Sequence, residues 1–344
     1  MAVNGARAGR KTGPSIMDVA RLAGVSGQTV SRVTNGADSV RPETRDRVLR
    51  AMDQLGYSPN HAARALRHGR FGSIGLLAHR FDRTGEAMMT DAVLRAAAVR
   101  DLSVTLVSVY AATADGWSPA ARRMQHQTVD GLIIIRSEGA STLPLSLPAG
   151  MPVAVADSRV RGIYPTVVAD EIGAVRAAVD HLLDLGHRTV HHISGPEDSE
   201  PARVRRSGWE LRLAERGVPI PPVAVGDWTA ESGYRAGTIL AADPEVTAIL
   251  CANDETALGV LHALRAAGRH VPNDVSVVGY DGIALSAHSD PPLTTIYQDF
   301  TTMGTELVRL VVDQIDSHAY SDAPNVIVPS HLVVRESTAP PKRI

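Results

Sequence analysis

The chain has little that would suit it to life outside a reducing compartment or inside a membrane. Of its 344 residues one is cysteine, Cys251, so no internal disulfide can form, which fits a cytoplasmic protein. Its neighbours, Ala-Ile-Leu-Cys-Ala, read as a buried strand and make the thiol structural rather than reactive. No apolar run approaches the roughly 18 residues a membrane span needs. The first residues, MAVNGARAGRKTGPS, are basic and polar with no apolar stretch behind them, so they read as a disordered leader (1–14) and not as an export signal. Neither GxGxxG nor GxxxxGK[ST] occurs, and no Ser/His/Asp or Cys/His arrangement stands out, so a nucleotide-dependent or nucleophilic enzyme has little support. A resident cofactor is not expected.

What is present is unevenly distributed. Residues 1–72 carry twelve Arg/Lys against five Asp/Glu, a surplus of seven positive charges, while the remainder is acidic and the whole chain has a net charge of −2. A basic end on an acidic body suggests a polyanionic partner for that end alone. Within it, residues 16–23 (IMDVARLA) predict a short helix with Val19, Ala20 and Ala23 on one face. Gly24-Val25 makes a turn. Ser26 then caps a second helix in which Val30 and Val33 face inward and Gln28, Thr29 and Arg32 outward. Two short helices joined by a glycine turn are a helix-turn-helix, whose second helix enters the major groove. Gln28 suits a bidentate bond to adenine, Arg32 reaches guanine or phosphate, Ser31, Thr34 and Asn35 are short donors suited to phosphates, and Ser26 and Thr29 are further expected DNA contacts. A third helix is predicted from Pro42, with Val48, Leu49, Met52 and Leu55 as its apolar stripe and Gly56 as its stop. The stretch HAARALRHGR beyond it is too short to be helical in isolation.

From Ser73 onward apolar runs alternate with helical patterns. Strands are expected at 73–78, 103–109, 131–135, 152–156, 166–169, 189–194, 247–252 and 275–280, with helices such as 171–185, 203–216 and 254–267 between them. Such alternation predicts parallel sheets flanked by helices, with ligands at the carboxyl ends of the strands. The cluster HRTVHH is no metal site: His191 and His192 are neighbours on a strand and point to opposite faces, and His187 closes the preceding helix.

The segment DVARLAGVSGQTVSRVTNG, followed by RPETRDRVLRAMDQLGYSPNHAARALR, resembles the LacI/GalR family of bacterial repressors, most closely its lactose-responsive branch, and the resemblance continues nearly to the C-terminus. It implies an all-α helix-turn-helix domain (15–59), a hinge helix at about 60–67 within a linker (60–71), and an α/β two-lobed core at 72–338 like the periplasmic binding proteins, with a tail at 339–344. One lobe would hold about 72–169 and 299–326, the other about 170–298 and 327–338. Tyr57, Asn60, Ala63 and Leu66 would be further DNA contacts, Leu66 wedging into the minor groove. Arg41 stands where relatives usually carry a capping Ser, so the third helix should be less well capped.

The resemblance also implies a ligand cleft. Asp157, Arg205, Asn253 and Asp281 match positions that bond sugar hydroxyls, and Trp228, Gln298 and Phe300 match the rest of the pocket wall. Two carboxylates, an arginine, amides and an aromatic plate are what a sugar requires. Asp or Asn after a strand also serves as a helix cap. Ile135 and Ala169 depart from the Asn and Phe of the lactose-responsive branch, so the end of the pocket that takes the second group of a glycoside should differ. The expected protein is a homodimer that binds a near-palindromic DNA operator and is released by a sugar or glycoside effector, a galactoside being the expected class, with no membrane partner. The lactose-responsive branch's C-terminal leucine heptads are missing, and a dimer rather than a tetramer is expected. A purine-sensing corepressor on the same fold is the alternative. A sugar-acting enzyme is the rival of another class, disfavoured because a buried Arg205 should keep both Asp157 and Asp281 ionised and leave no acid.

Overall fold

The computed structural model describes residues 13–34, 37, 39–58, 70–109, 117–125, 129–136, 147, 150–317 and 323–342. The chain divides into two compact units, Met1–Phe71 and Gly72–Ile344.

In the first unit, α1 (Ile16–Ala23) begins with a capping box: Asp18 N–H donates to Ser15 Oγ, and Ser15 N–H returns a bond to the Asp18 carboxylate at 2.9 Å. Gly24 ends it at φ 63°, a left-handed conformation that glycine enters without a Cβ penalty. Helix α2 (Gly27–Thr34) starts where Ser26 Oγ accepts the Thr29 N–H at 3.1 Å. Helix α3 (Pro42–Leu55) has Arg41 at its N-cap with no side-chain capping bond, as the sequence implied, and stops at Gly56. Val19, Ala20, Ala23, Val30, Val33, Val48 and Ala51 form the core. One position of the expected α3 stripe is corrected. Leu49 is 49 % exposed and Ala51 takes the buried place, because the helical period carries 48, 51, 52 and 55 toward α1 and α2 and turns 49 outward.

The second unit has two six-stranded sheets. The first lobe contains β1 (Ser73–Ala78), α4 (Thr84–Val99), β2 (Ser103–Ser108), α5 (Trp117–Gln125), β3 (Gly131–Ile135), β4 (Val153–Ala156) and β5 (Thr166–Ala169). The chain then crosses to the second lobe for α6 (Glu171–Asp184), β6 (His191–Ser194), α7 (Glu200–Glu215), β7 (Ala224–Val225), α8 (Ala230–Ala241), β8 (Ala248–Cys251), α9 (Asp254–Ala266), β9 (Ser276–Asp281) and β10 (Thr294–Gln298). It returns for α10 (Phe300–Ser317) and β11 (Asn325–Val328), then crosses once more into β12 (Ser330–Val333). The first sheet runs β11-β5-β4-β3-β1-β2 and is parallel throughout. The second runs β12-β10-β9-β8-β6-β7, and only β12 is antiparallel. Because β11 pairs with β5 in the first sheet, the last crossover falls at Pro329, two residues beyond the division expected at 326/327.

Each sheet is covered on both faces, which is why inner strands such as β1, β3, β4 and β8 read as continuous apolar runs. In the first lobe α4 and α10 pack on one face and α5 on the other. In the second, α6 and α7 cover one face and α8 and α9 the other. Cys251 is buried in that last layer, and burial raises its thiol far above the usual range, so it is structural as expected. The three crossovers bring the carboxyl ends of the strands of both sheets to one cleft.

Candidate functional site

All seven residues expected at a ligand site line a single cavity of about 740 Å³ in this cleft: Asp157, Arg205, Trp228, Asn253, Asp281, Gln298 and Phe300. Their positions follow from the fold. Asp157 leaves β4, Asn253 leaves β8, Asp281 ends β9, and Gln298 and Phe300 straddle the second crossover.

Arg205, on α7, is the buried centre. Its Nε donates to Glu171 Oε1 at 3.1 Å, its Nη1 donates to the Ala252 carbonyl at 2.6 Å, and the same nitrogen lies 3.6 Å from Asp281. The guanidinium stacks over the Tyr280 ring at 3.7 Å and faces the Trp228 ring at 5.5 Å. Arg205 also lines the cavity, and among the described residues no hydrogen bond engages its Nη2. Gln298 Nε2 donates to Asp281 Oδ1 at 2.7 Å. Burial raises the Asp281 carboxyl to about 8, against the opposing pull of Arg205. Burial likewise raises Glu171, again opposed by Arg205.

This electrostatic picture corrects one expectation. Arg205 does not keep both aspartates ionised. Its direct carboxylate partner is Glu171, a residue the sequence reading missed, and desolvation outweighs its effect on Asp281. Asp157 is held elsewhere: Arg136 Nε donates to one carboxylate oxygen at 2.5 Å, and the N–H and Nε of Arg159 donate to the other, both at 2.9 Å. A carboxylate so occupied is not free to act as nucleophile or base, so the two aspartates make no glycosidase pair. Arg136 directly follows β3 and could have been found by applying the strand-end rule there too. Glu171, at the first position of α6, lies two residues beyond the end of β5, the same offset as Asn253 from β8, and could have been found in the same way.

The capping role weighed for strand-end Asp and Asn is present as well. Asp157 caps the short turn at Ser158–Val160, and Asn253 Oδ1 accepts from Thr256 N–H at 3.1 Å to cap α9. Two cavity-lining residues hold backbone that L-residues rarely adopt, Trp228 at φ 72° and Asp281 at φ 103°. Such conformations cost about 1–3 kcal/mol each and persist where the surrounding structure fixes them. The Trp228 indole lies over Gly195, where a Cβ would come within 2.5 Å of the ring. Met89, Ile135, Val167, Ala169, Met303 and Ile327 line the apolar part of the cavity.

In the first unit, Gln28 and Arg32 are exposed on the outer face of α2, while Val30 and Val33 are buried. The Ser26 and Thr29 hydroxyls lie 2.9 Å apart, and the Thr34 hydroxyl donates to the Ser31 carbonyl at 3.0 Å. Tyr57 is half-buried against the helical core. Asn35, Asn60, Ala63 and Leu66, and with them the expected hinge helix, lie outside the described residues.

His191 and His192 point to opposite sides of β6. His192 is buried with Nδ1 bonded to the Leu250 carbonyl, and His187 bonds Thr247, Ser276 and the Ala339 carbonyl. Among the described residues no group of three or more His, Cys, Asp or Glu is arranged to hold a metal ion, and no helix is long and apolar enough to cross a membrane.

Comparison with known proteins agrees with this architecture. Residues 15–60 match the model of the bacterial regulatory proteins of the lacI family, and residues 179–338 match a periplasmic binding protein-like domain. The HTH-type transcriptional regulator CelR of Thermobifida fusca is 35 % identical over 339 residues, 95 % of this chain and 99 % of that protein. The lactose operon repressor of Escherichia coli K12 is 33 % identical over 95 % of this chain and 91 % of its own length. Among solved structures, the lac repressor dimer bound to operator and the anti-inducer ONPF superposes with a TM-score of 0.81 at 30 % identity, covering 95 % of this chain and all of that one. A CelR–cellobiose complex does so at 0.69 and 33 % identity, over 94 % of this chain and 99 % of that one. With the helix-turn-helix and the two-lobed cleft in one chain, and relatives of this similarity along its whole length, the protein belongs to the LacI family of bacterial transcription regulators and is not an enzyme.

Proposed function

We propose that the protein is a sugar-responsive repressor: a homodimer that holds a near-palindromic operator and releases it when a sugar or glycoside occupies the cleft. One observation carries the reading. Arg205, Asp281, Gln298, Asn253 and the Trp228 ring line the same cavity, offering charged and amide partners for hydroxyl pairs beside an aromatic plate for the apolar face of a pyranose. Two copies are needed because one helix-turn-helix reads only a few base pairs. A ligand relieves repression only by binding the two lobe arrangements with different affinity.

The far end of the cleft favours a second group larger than a methyl. Ile135 and Ala169 open an apolar end, and about 740 Å³ falls in the upper half of the range for small-molecule sites, about 300–1,000 Å³. Similarity to a cellobiose-complexed regulator supports a disaccharide alongside the galactosides suggested by the lactose operon repressor.

A thermal-shift panel of cellobiose, other glucosides, galactosides and purines tests this. A sugar at a hundred times its Kd should stabilise the protein by about 2.7 kcal/mol. Stabilisation by a purine alone would reject the sugar class. Operator footprinting with and without the stabilising sugar gives the sign, and tighter binding with sugar would reject induction.

A further inference from the structure

Glu255, in the first turn of α9, touches both lobes. Its Oε2 accepts from Asn253 Nδ2 at 2.8 Å, and its Oε1 accepts from the Thr84 hydroxyl at the start of α4 in the first lobe. Beside it, Arg83 Nη1 donates to the Asp227 carbonyl of the second lobe. All of these residues except Asp227 line the cavity.

The Asn253 carboxamide has two N–H donors, and both are occupied. One goes to the Trp228 carbonyl at 2.9 Å and the other to Glu255. Its oxygen is engaged by Thr256 N–H. A ligand hydroxyl that accepts from Asn253 must therefore displace either the backbone bond that shapes the Trp228 turn or the Glu255 carboxylate. Glu255 is the side chain free to turn aside, and turning aside loosens its hold on Thr84.

We propose that Glu255 is the positioning residue through which occupancy of Asn253 is transmitted to the first lobe: ligand takes the Asn253 N–H, Glu255 swings off it, and the Thr84 contact that ties the start of α4 to the second lobe is weakened. This rests on the sugar-responsive reading of the cleft. It explains why a carboxylate sits between an amide donor of one lobe and a hydroxyl donor of the other. It also assigns Thr84 an influence on ligand affinity that passes through a second residue.

The test is a double-mutant cycle on the full chain, with cellobiose binding read by calorimetry, in wild type, Thr84→Val, Glu255→Ala and the double variant. Thr84→Val removes the bond that anchors Glu255, so cellobiose should bind tighter by about threefold to tenfold, the worth of one hydrogen bond. In the Glu255→Ala background the same substitution should change nothing. Glu255→Gln, whose amide can accept from Asn253 and donate to Thr84, should restore part of the Thr84 effect; a merely structural glutamate would not give that rescue. Equal Thr84 effects in the two backgrounds, or none in wild type, would overturn the proposal. Amide hydrogen exchange on the ligand-free protein is independent of the sugar. Residues 84–88 should exchange faster in Glu255→Ala than in wild type, and unchanged protection there would also overturn it. Failure of wild type to bind any sugar, with exchange at 84–88 still responding, would reject the sugar reading and leave the lobe contact standing.

Discussion

Arg205 and Asp281 face one another across 3.6 Å, yet the arginine gives its hydrogens to Glu171 and to the Ala252 carbonyl, and among the described residues Asp281 has Gln298 as its direct donor. The cleft thus holds a carboxyl that burial keeps partly protonated, set beside a cation that is permanently charged. Ligand binding and folding should both respond to this pair.

The first consequence concerns pH and ligand. A sugar hydroxyl that donates to Asp281 favours its ionised form, so binding should release a proton while the free protein holds one. Affinity should rise with pH up to about 8, where the carboxyl is already ionised, and then level off. Calorimetry in buffers of different ionisation enthalpy reads the proton directly. No proton release at pH 7 would show that the ligand does not engage the carboxylate.

The second concerns pH and stability. Burial raises Asp281 to about 8 and Asp254 to about 7 in the folded protein, above their ordinary 3.8, so the folded state binds more protons than the unfolded and these groups contribute less as pH rises toward 8. The buried histidines act the other way. Burial lowers His192 to about 4 and lowers His181, His187 and His191, so their contributions grow with pH and are complete above about 6.5. Above 6.5 only the carboxylate effect remains, and the Tm should fall between pH 6.5 and 8.5. Asp281→Asn should flatten that decline in a thermal melt.

Arg205→Met would leave Glu171 and Asp281 buried without their cation. Removing one partner of a buried ion pair typically costs about 3–5 kcal/mol, and urea denaturation should show a loss of that size together with loss of sugar binding. A variant as stable as wild type would mean that both carboxyls simply protonate.

Gly259 lies where α9 crosses α8, and a Cβ there would sit 1.9 Å from the Ala230 carbonyl oxygen. Since α8 follows Trp228 and α9 follows Asn253, Gly259→Ala should push two cavity walls apart. It is expected to destabilise by about 1–3 kcal/mol and to weaken sugar binding beyond that loss, measured by chemical denaturation beside calorimetry. Unchanged affinity would show that the helix contact does not position the site.

On DNA, Gln28→Ala should cost roughly 1–3 kcal/mol at its cognate base pair and relax specificity there. Competition binding with operators varied one base pair at a time reads this. Equal loss on every sequence would place Gln28 on phosphate.

Much of this protein was legible along the chain because it depends on neighbours in sequence. A glycine turn between two short apolar-periodic helices gives a helix-turn-helix whatever follows, and the cap at Ser26 is made within three residues. Strands covered on both faces declare themselves as apolar runs, and the residues that leave their carboxyl ends, such as Asp157, Asn253 and Asp281, could be named as cleft residues from that rule and the family resemblance. Tertiary structure alone decided which of them touch. That β11 belongs with β5 depends on a pairing across more than 150 residues. That Arg205 bonds Glu171 rather than an aspartate, that Asp157 is occupied by Arg136, and that Glu255 joins Asn253 to Thr84 all depend on how two lobes, each built from two separate stretches of chain, present their edges. Charge state follows from the same source: a carboxyl's pKa is set by the water it loses and the cations it meets, and neither is a property of its place in the sequence.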